Sequence, residues 1–122
     1  MDIIIGGKYQ GKLDYAKNKY QLTDDDIFVC DYNNPVIDLN KKAIYQFNYY
    51  IYALVKNNLE FDLDLSLFKD KIIICDEISS GVVPIDKIER IYRDSVGKAM
   101  INLVSNCDNL VRIICGIEEK LK

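Results

Sequence analysis

Four short runs constrain this chain more than anything else in it: Asp2–Gly6, Ile27–Asp31, Lys71–Asp76 and Leu110–Gly116. Three are nearly continuous in isoleucine, valine, leucine or cysteine instead of alternating with polar residues. A strand wetted on one face alternates, whereas an unbroken apolar strand needs cover on both faces, as in a parallel sheet. Helical segments separate the runs, so the order reads β-α-β-α-β-α-β and the class is α/β. A chain of 122 residues suits one domain, residues 1–122, with a sizeable core.

The first helix is expected from Lys12 to Tyr20, with Thr23 and Asp24–Asp26 forming a turn. After the second strand, Tyr32-Asn33-Asn34-Pro35 reads as a loop, followed by a helix to about Asn57. That helix carries Leu39, Ala43, Phe47, Ile51 and Leu54 on one face at mostly four-residue spacing. Tyr45, Tyr49 and Tyr52 line a neighbouring face, where sheet packing, a subunit contact and a ligand platform are all open. From Leu59 to Leu67, leucine and phenylalanine alternate with Glu60, Asp62, Asp64 and Ser66. The pattern is that of an amphipathic strand, while the position also fits a short helix or an edge hairpin, and its role stays open. Pro84 and Asp86 start a helix running to about Asn106, striped by Ile88, Tyr92, Val96, Ala99 and Leu103. The last strand and an Ile117–Lys122 tail follow.

Composition removes several kinds of chemistry. There is no histidine, which excludes imidazole acid–base catalysis, Ser-His-Asp and Cys-His arrangements, and histidine metal ligation. A net charge of −3 argues against general nucleic-acid binding. No apolar run approaches the length of a membrane span, and the first residues read as a strand, not a signal peptide, so a cytoplasmic location is expected. Cys30, Cys75, Cys107 and Cys115 form no C-x-x-C pair. They read as small buried hydrophobes in a reducing compartment, and no zinc site is expected.

Chemistry concentrates at the first strand's end, in Gly6-Gly7-Lys8-Tyr9-Gln10-Gly11-Lys12-Leu13. This is nearly the G-x-x-x-x-G-K-[ST] phosphate-binding loop, placed between a strand and a helix as that mechanism requires. The glycines permit a tight turn and close approach of backbone N–H groups to phosphate, and Lys12 adds a full charge. Leu13 stands where a serine or threonine hydroxyl holds Mg²⁺, and it has no oxygen to offer. Acidic residues close two further strands, Asp31 after Ile27–Cys30 and Asp76-Glu77 after Ile72–Cys75. Ligands of open parallel sheets gather at the carboxyl ends of strands, so Asp31 and Glu77 are candidates to hold a metal or position a nucleophile. Glu77 also opens a loop through Gly81 and Pro84 that fits either a shaped cover over this edge or an ordinary connection.

With this loop the chain resembles the adenosylcobinamide kinase/adenosylcobinamide-phosphate guanylyltransferase family of cobalamin biosynthesis. That family shows a hydrophobic strand with G-G-x-x-S-G-K-S, then N-E-V-G-x-G-I-V-P, an R-D-x-x-G-x-x-N helix, and a final S-G-[apolar]-x-x-K-[apolar]-K. The counterparts here are Gly6-Gly7 with Gly11-Lys12, then Asp76-Glu77-Ile78 with Gly81-Val82-Val83-Pro84. Arg93-Asp94 with Gly97 and Cys115-Gly116-Ile117 with Lys120-Leu121-Lys122 complete the series. The resemblance implies a P-loop NTPase-like fold, a mainly parallel sheet flanked by helices in three α/β/α layers, and a homo-oligomer. It implies phosphorylation of cobinamide by a nucleotide and guanylyl transfer through a covalent histidine. The loop residues Gly6 to Leu13 would hold ATP or GTP, and Asp31 and Glu77 would be the catalytic and metal-binding acids. Mg²⁺ binding would be weakened by Leu13.

The chain departs from the family pattern at Gln10 for serine, Leu13 for the hydroxyl, Ser79 for glycine and Met100 for asparagine. It is also short between the first helix and the Ile27 strand, where the family keeps its histidine segment. Two functions therefore stand side by side. One is a reduced kinase without guanylyl transfer, and the other is a non-catalytic relative that binds a nucleotide, a corrinoid or a protein partner.

Overall fold

A computed structural model describes residues 1–62, 64–78 and 86–122. Its six strands are β1 (Asp2–Gly6), β2 (Ile27–Val29), β3 (Ala43–Tyr45), β4 (Ile72–Asp76), β5 (Asn109–Ile114) and β6 (Ile117–Lys120). They form one sheet in the order β2-β3-β4-β1-β5-β6. All neighbours run parallel except β5 and β6, which form an antiparallel hairpin. Three helices, α1 (Lys12–Tyr20), α2 (Phe47–Lys56) and α3 (Lys87–Asn106), complete an α/β fold of P-loop type.

The unbroken apolar runs have a direct cause. Ile3, Ile73 and Cys75 pack into one core with Phe47, Ile51 and Leu54 of α2 and Tyr92, Val96, Ala99 and Leu103 of α3. Ile4, Ile72, Ile74, Val111 and Ile113 face the other way, onto Leu13 and Ala16 of α1. Consecutive side chains of a strand point to opposite faces, so helices on both sides make every position a core position. All five residues of β4 are buried. Each fully buried isoleucine or leucine contributes about 1.5–3 kcal/mol.

Three expectations need correction. The helix expected to follow Pro35 and reach about Asn57 is a strand and a shorter helix: Ala43–Tyr45 is β3, and α2 begins only at Phe47. Gln46 between them is left-handed, with φ 56°, a conformation that stops a right-handed helix from running through. The Ile27–Asp31 strand ends at Val29, at the sheet's edge, where only one neighbour supports it. The Ile117–Lys122 tail is in part β6, and the strand expected to Gly116 turns at Cys115-Gly116 to meet it. The alternating Leu59–Leu67 segment, which the sequence leaves open between a strand, a short helix and an edge hairpin, forms no strand where it is described. It ends in a 3₁₀ turn, Leu65–Phe68, capped by Asp64, whose carboxylate accepts from Ser66 N–H at 3.0 Å. Leu63 lies outside the described residues.

The other elements fall where the sequence places them. Asp86 caps α3 by accepting from the N–H groups of Ile88 and Glu89, and Thr23 with Asp26 forms a reciprocal capping box at Asp24–Asp26. Cys30, Cys75 and Cys107 are buried free thiols and Cys115 is an exposed one. Among the described residues no helix is long and apolar enough to cross a membrane.

Candidate functional site

The loop from Gly6 to Leu13 leaves the carboxyl end of the sheet's inner strand β1 and enters α1 at Lys12. It is fastened on two sides. Glu77 N–H donates to Gly6 O at 2.9 Å from the end of β4. From the β5–β6 turn, Gly116 N–H donates to Gln10 O at 2.8 Å and Cys115 N–H to the Gln10 side-chain oxygen at 2.6 Å. The two glycines at the ends of the loop have different tasks. A Cβ on Gly6 would stand 2.6 Å from Ile113 O, so only glycine lets β1 lie this close to β5. Gly11 caps α1 in the left-handed region, φ 91°, where glycine costs least. Tyr9 at the tip is fully exposed.

Lys12 folds inward. Its ammonium donates to Gly7 O at 2.7 Å and lies 2.8 Å from Asp76 Oδ1. Both side chains are buried, 5% and 6% exposed. The register explains the meeting, because Gly6 and Asp76 are paired neighbours on β1 and β4. Asp76 is held in turn by Asn48 of α2. Asp76 N–H donates to Asn48 Oδ1 at 3.1 Å, and Asn48 Nδ2 reaches Asp76 Oδ2 at 3.4 Å and the Tyr92 hydroxyl at 3.2 Å. Burial pushes the Tyr92 phenol up, so it stays neutral as a partner for the amide.

Beside this cluster lies a cavity of about 500 Å³, lined by Lys8 of the loop, Tyr49 and Tyr52 of α2, Glu77, Glu89 and Arg93 among others. Tyr32, Tyr49, Tyr52 and Tyr92 form a wall of edge-to-face rings, with centroids 4.9 to 6.4 Å apart. Lys8 sits 5.6 Å from the Tyr49 ring, and hydrogen bonding to Tyr49 is the main cause that raises its pKa. The cavity thus mixes cations, carboxylates and aromatic faces at the carboxyl-terminal edge of a parallel sheet.

The two acids read from the sequence take different places. Glu77 lines the cavity, and its Oε1 accepts from Arg112 Nε and lies 2.8 Å from Arg112 Nη2 on β5. Asp31 follows β2, two strands from β4 and so about 10 Å across the sheet. It is exposed, and its carboxylate accepts from Asn33 N–H at 2.8 Å in a local turn. Asn48 is a site residue that the sequence reading did not single out. The signal was a polar residue three positions before Ile51, on the apolar side of a helix. Gly81 and Pro84 of the following loop lie outside the described residues.

Mg²⁺, which a P-loop implies, is not matched by these donors as they stand. Leu13 has no oxygen, Asp76 is committed to Lys12 and Asn48, and Glu77 is paired with Arg112. Among the described residues no group of three or more acidic or cysteine side chains converges on one point.

The family model described as cobinamide kinase / cobinamide phosphate guanyltransferase matches residues 54–121, more than half of the chain. The match takes in β4, α3 and the β5–β6 hairpin and begins beyond the Gly6–Leu13 loop. No curated protein matches the chain.

Proposed function

We propose, from the premise that this chain belongs to the cobinamide kinase / cobinamide phosphate guanyltransferase family, that it binds ATP or GTP on the Gly6–Leu13 loop. Its chemistry would be at most phosphoryl transfer to cobinamide. The observation that carries this reading is the position of Lys12, at the start of α1 and beside the Asp76 end of a cavity of about 500 Å³. Loop N–H groups and the helix terminus would neutralise phosphate charge, and Lys12 would turn from Asp76 to the phosphoryl oxygens. Of the two acids read from the sequence, Glu77 is better placed to orient the acceptor hydroxyl, since it lines the cavity and Asp31 does not. Guanylyl transfer through a covalent histidine is left out, because these 122 residues contain no histidine.

The same reading takes residues 1–122 as one domain, the six described strands joining a single sheet, acting in the cytoplasm as a homo-oligomer. A second reading, a non-catalytic module that binds a nucleotide, a corrinoid or a protein partner, draws support from Leu13 and from the internal pairing of Lys12. Calorimetry with ATP and GTP, with and without Mg²⁺, tests the nucleotide binding that the kinase requires, and an assay of phosphoryl transfer to cobinamide separates the kinase from a module that only binds nucleotide. Tight Mg²⁺-dependent binding supports the kinase. No heat of binding at millimolar nucleotide sinks it and leaves an assembly role.

A further inference from the structure

We propose that Asp76, fixed by Asn48, is the specificity-determining residue of the phosphate loop: its carboxylate occupies Lys12 as a ligand phosphate would, so an anion enters only by displacing it. The proposal rests on the reading of Gly6–Leu13 as an anion-binding loop. Three observations lead to it. The Lys12–Asp76 pair is closed to water, at 5% and 6% exposure, and spans 2.8 Å. The ammonium already donates to Gly7 O and lies in ion-pair contact with Asp76 Oδ1. The carboxylate is not free to follow the lysine, because Asn48 bonds both its main-chain N–H and its Oδ2, and Asn48 is itself tied to Tyr92.

When Lys12 turns to a phosphate, Asp76 therefore stays behind as a buried negative charge facing a negatively charged ligand. Repulsion between like charges is strong in a poorly solvated site, and an unpaired buried carboxylate adds its own penalty. The loop should discriminate against bare polyphosphate, and replacing the carboxylate with its neutral isostere should relieve that discrimination. Asn48 is then a positioning residue that acts through Asp76.

The test is calorimetric titration of inorganic tripolyphosphate, without divalent cations, into wild type, Asp76→Asn, Asp76→Ala and Lys12→Met/Asp76→Asn, each checked for folding by circular dichroism. The expected result is at least tenfold tighter binding to Asp76→Asn and Asp76→Ala than to wild type, with the gain absent in the double variant. Equal or weaker binding by folded Asp76 variants, while wild type binds tripolyphosphate or nucleotide, overturns the role of Asp76 and leaves nucleotide binding standing. No binding of tripolyphosphate or nucleotide by wild type or any folded variant overturns the loop reading and this inference with it. A wild-type measurement covers variants that do not fold. The ¹³Cγ resonance of Asp76 should move as tripolyphosphate saturates the loop, and an unmoved resonance at saturation refutes the displacement.

Discussion

Lys12 and Asp76 meet where the Gly6–Leu13 loop crosses the end of the neighbouring strand, Nζ to Oδ1 at 2.8 Å, sealed from solvent. Removing one member of a buried pair strands the other charge, which costs about 3–5 kcal/mol. Lys12→Met should lose stability on that scale in urea unfolding. Adding Asp76→Asn removes the stranded charge, so the double variant should be more stable than Lys12→Met alone.

Asn48 is 1% exposed, and its side chain serves the Asp76 N–H and the Tyr92 hydroxyl together. Asn48→Leu leaves both groups without that partner in the core. An unsatisfied buried group costs roughly 1–3 kcal/mol, so equilibrium unfolding should show a loss of at least that size despite the gain in apolar surface.

Two glycines should respond to alanine in opposite directions. A methyl on Gly6 would collide with Ile113 O at 2.6 Å, whereas Gly97, inside α3, has nothing within 4 Å. Gly97→Ala should raise stability by about 0.5–1 kcal/mol, because alanine is the better helix residue and loosens the unfolded chain less. Gly6→Ala should lower it and weaken protection of the β1–β5 amides in hydrogen exchange.

Burial pushes the Cys30 and Cys75 thiols from 9.0 up to about 12. In the unfolded chain they ionise near their ordinary value, so above it the unfolded state holds fewer protons than the folded one. Their contribution is complete below pH 9.0 and is lost as pH rises toward about 12. Each thiol adds a slope of at most about 1.4 kcal/mol per pH unit. Stability measured across that range should fall, and Cys30→Ala/Cys75→Ala should flatten the fall. At neutral pH a thiol reagent should modify Cys115 quickly and the three buried thiols only on unfolding.

Leu13 packs with the α1-side core and stands at the hydroxyl position of the loop motif. Leu13→Ser should make nucleotide affinity depend on Mg²⁺ more strongly than in wild type, read by titration with and without the ion. Unchanged metal dependence would show that Leu13 is not what limits metal binding.

The sequence showed β1, β4 and α3 plainly because each is long and uniform in pattern. β3 was hidden by coincidence: Ala43 falls four residues before Phe47 and eight before Ile51, which is helical spacing, although the backbone reverses its hand at Gln46. A three-residue strand buried between two neighbours has no alternation to set against that signal. The loop was legible because its parts are contiguous. Which of Asp76 and Glu77 meets Lys12 was not, since it depends on the pairing of Gly6 with Asp76 across two strands. The Asn48 contact spans 28 residues, and no local pattern encodes such a separation.

The placement of β1 also sets a timetable for the growing polypeptide. Ile3 pairs with Ile73 on one side and Leu110 on the other, and Gln10 waits for the Cys115-Gly116 turn to hold it. As the chain emerges from the ribosome, β1 and its loop therefore wait without neighbours until β4 and then β5 have been made, an Ile-Ile-Ile segment open to wrong partners. Pairings so distant along the chain are slow to form, and exposed strands of this kind invite aggregation. Chaperone dependence should be greatest while that segment waits, and it should end when the last hairpin closes.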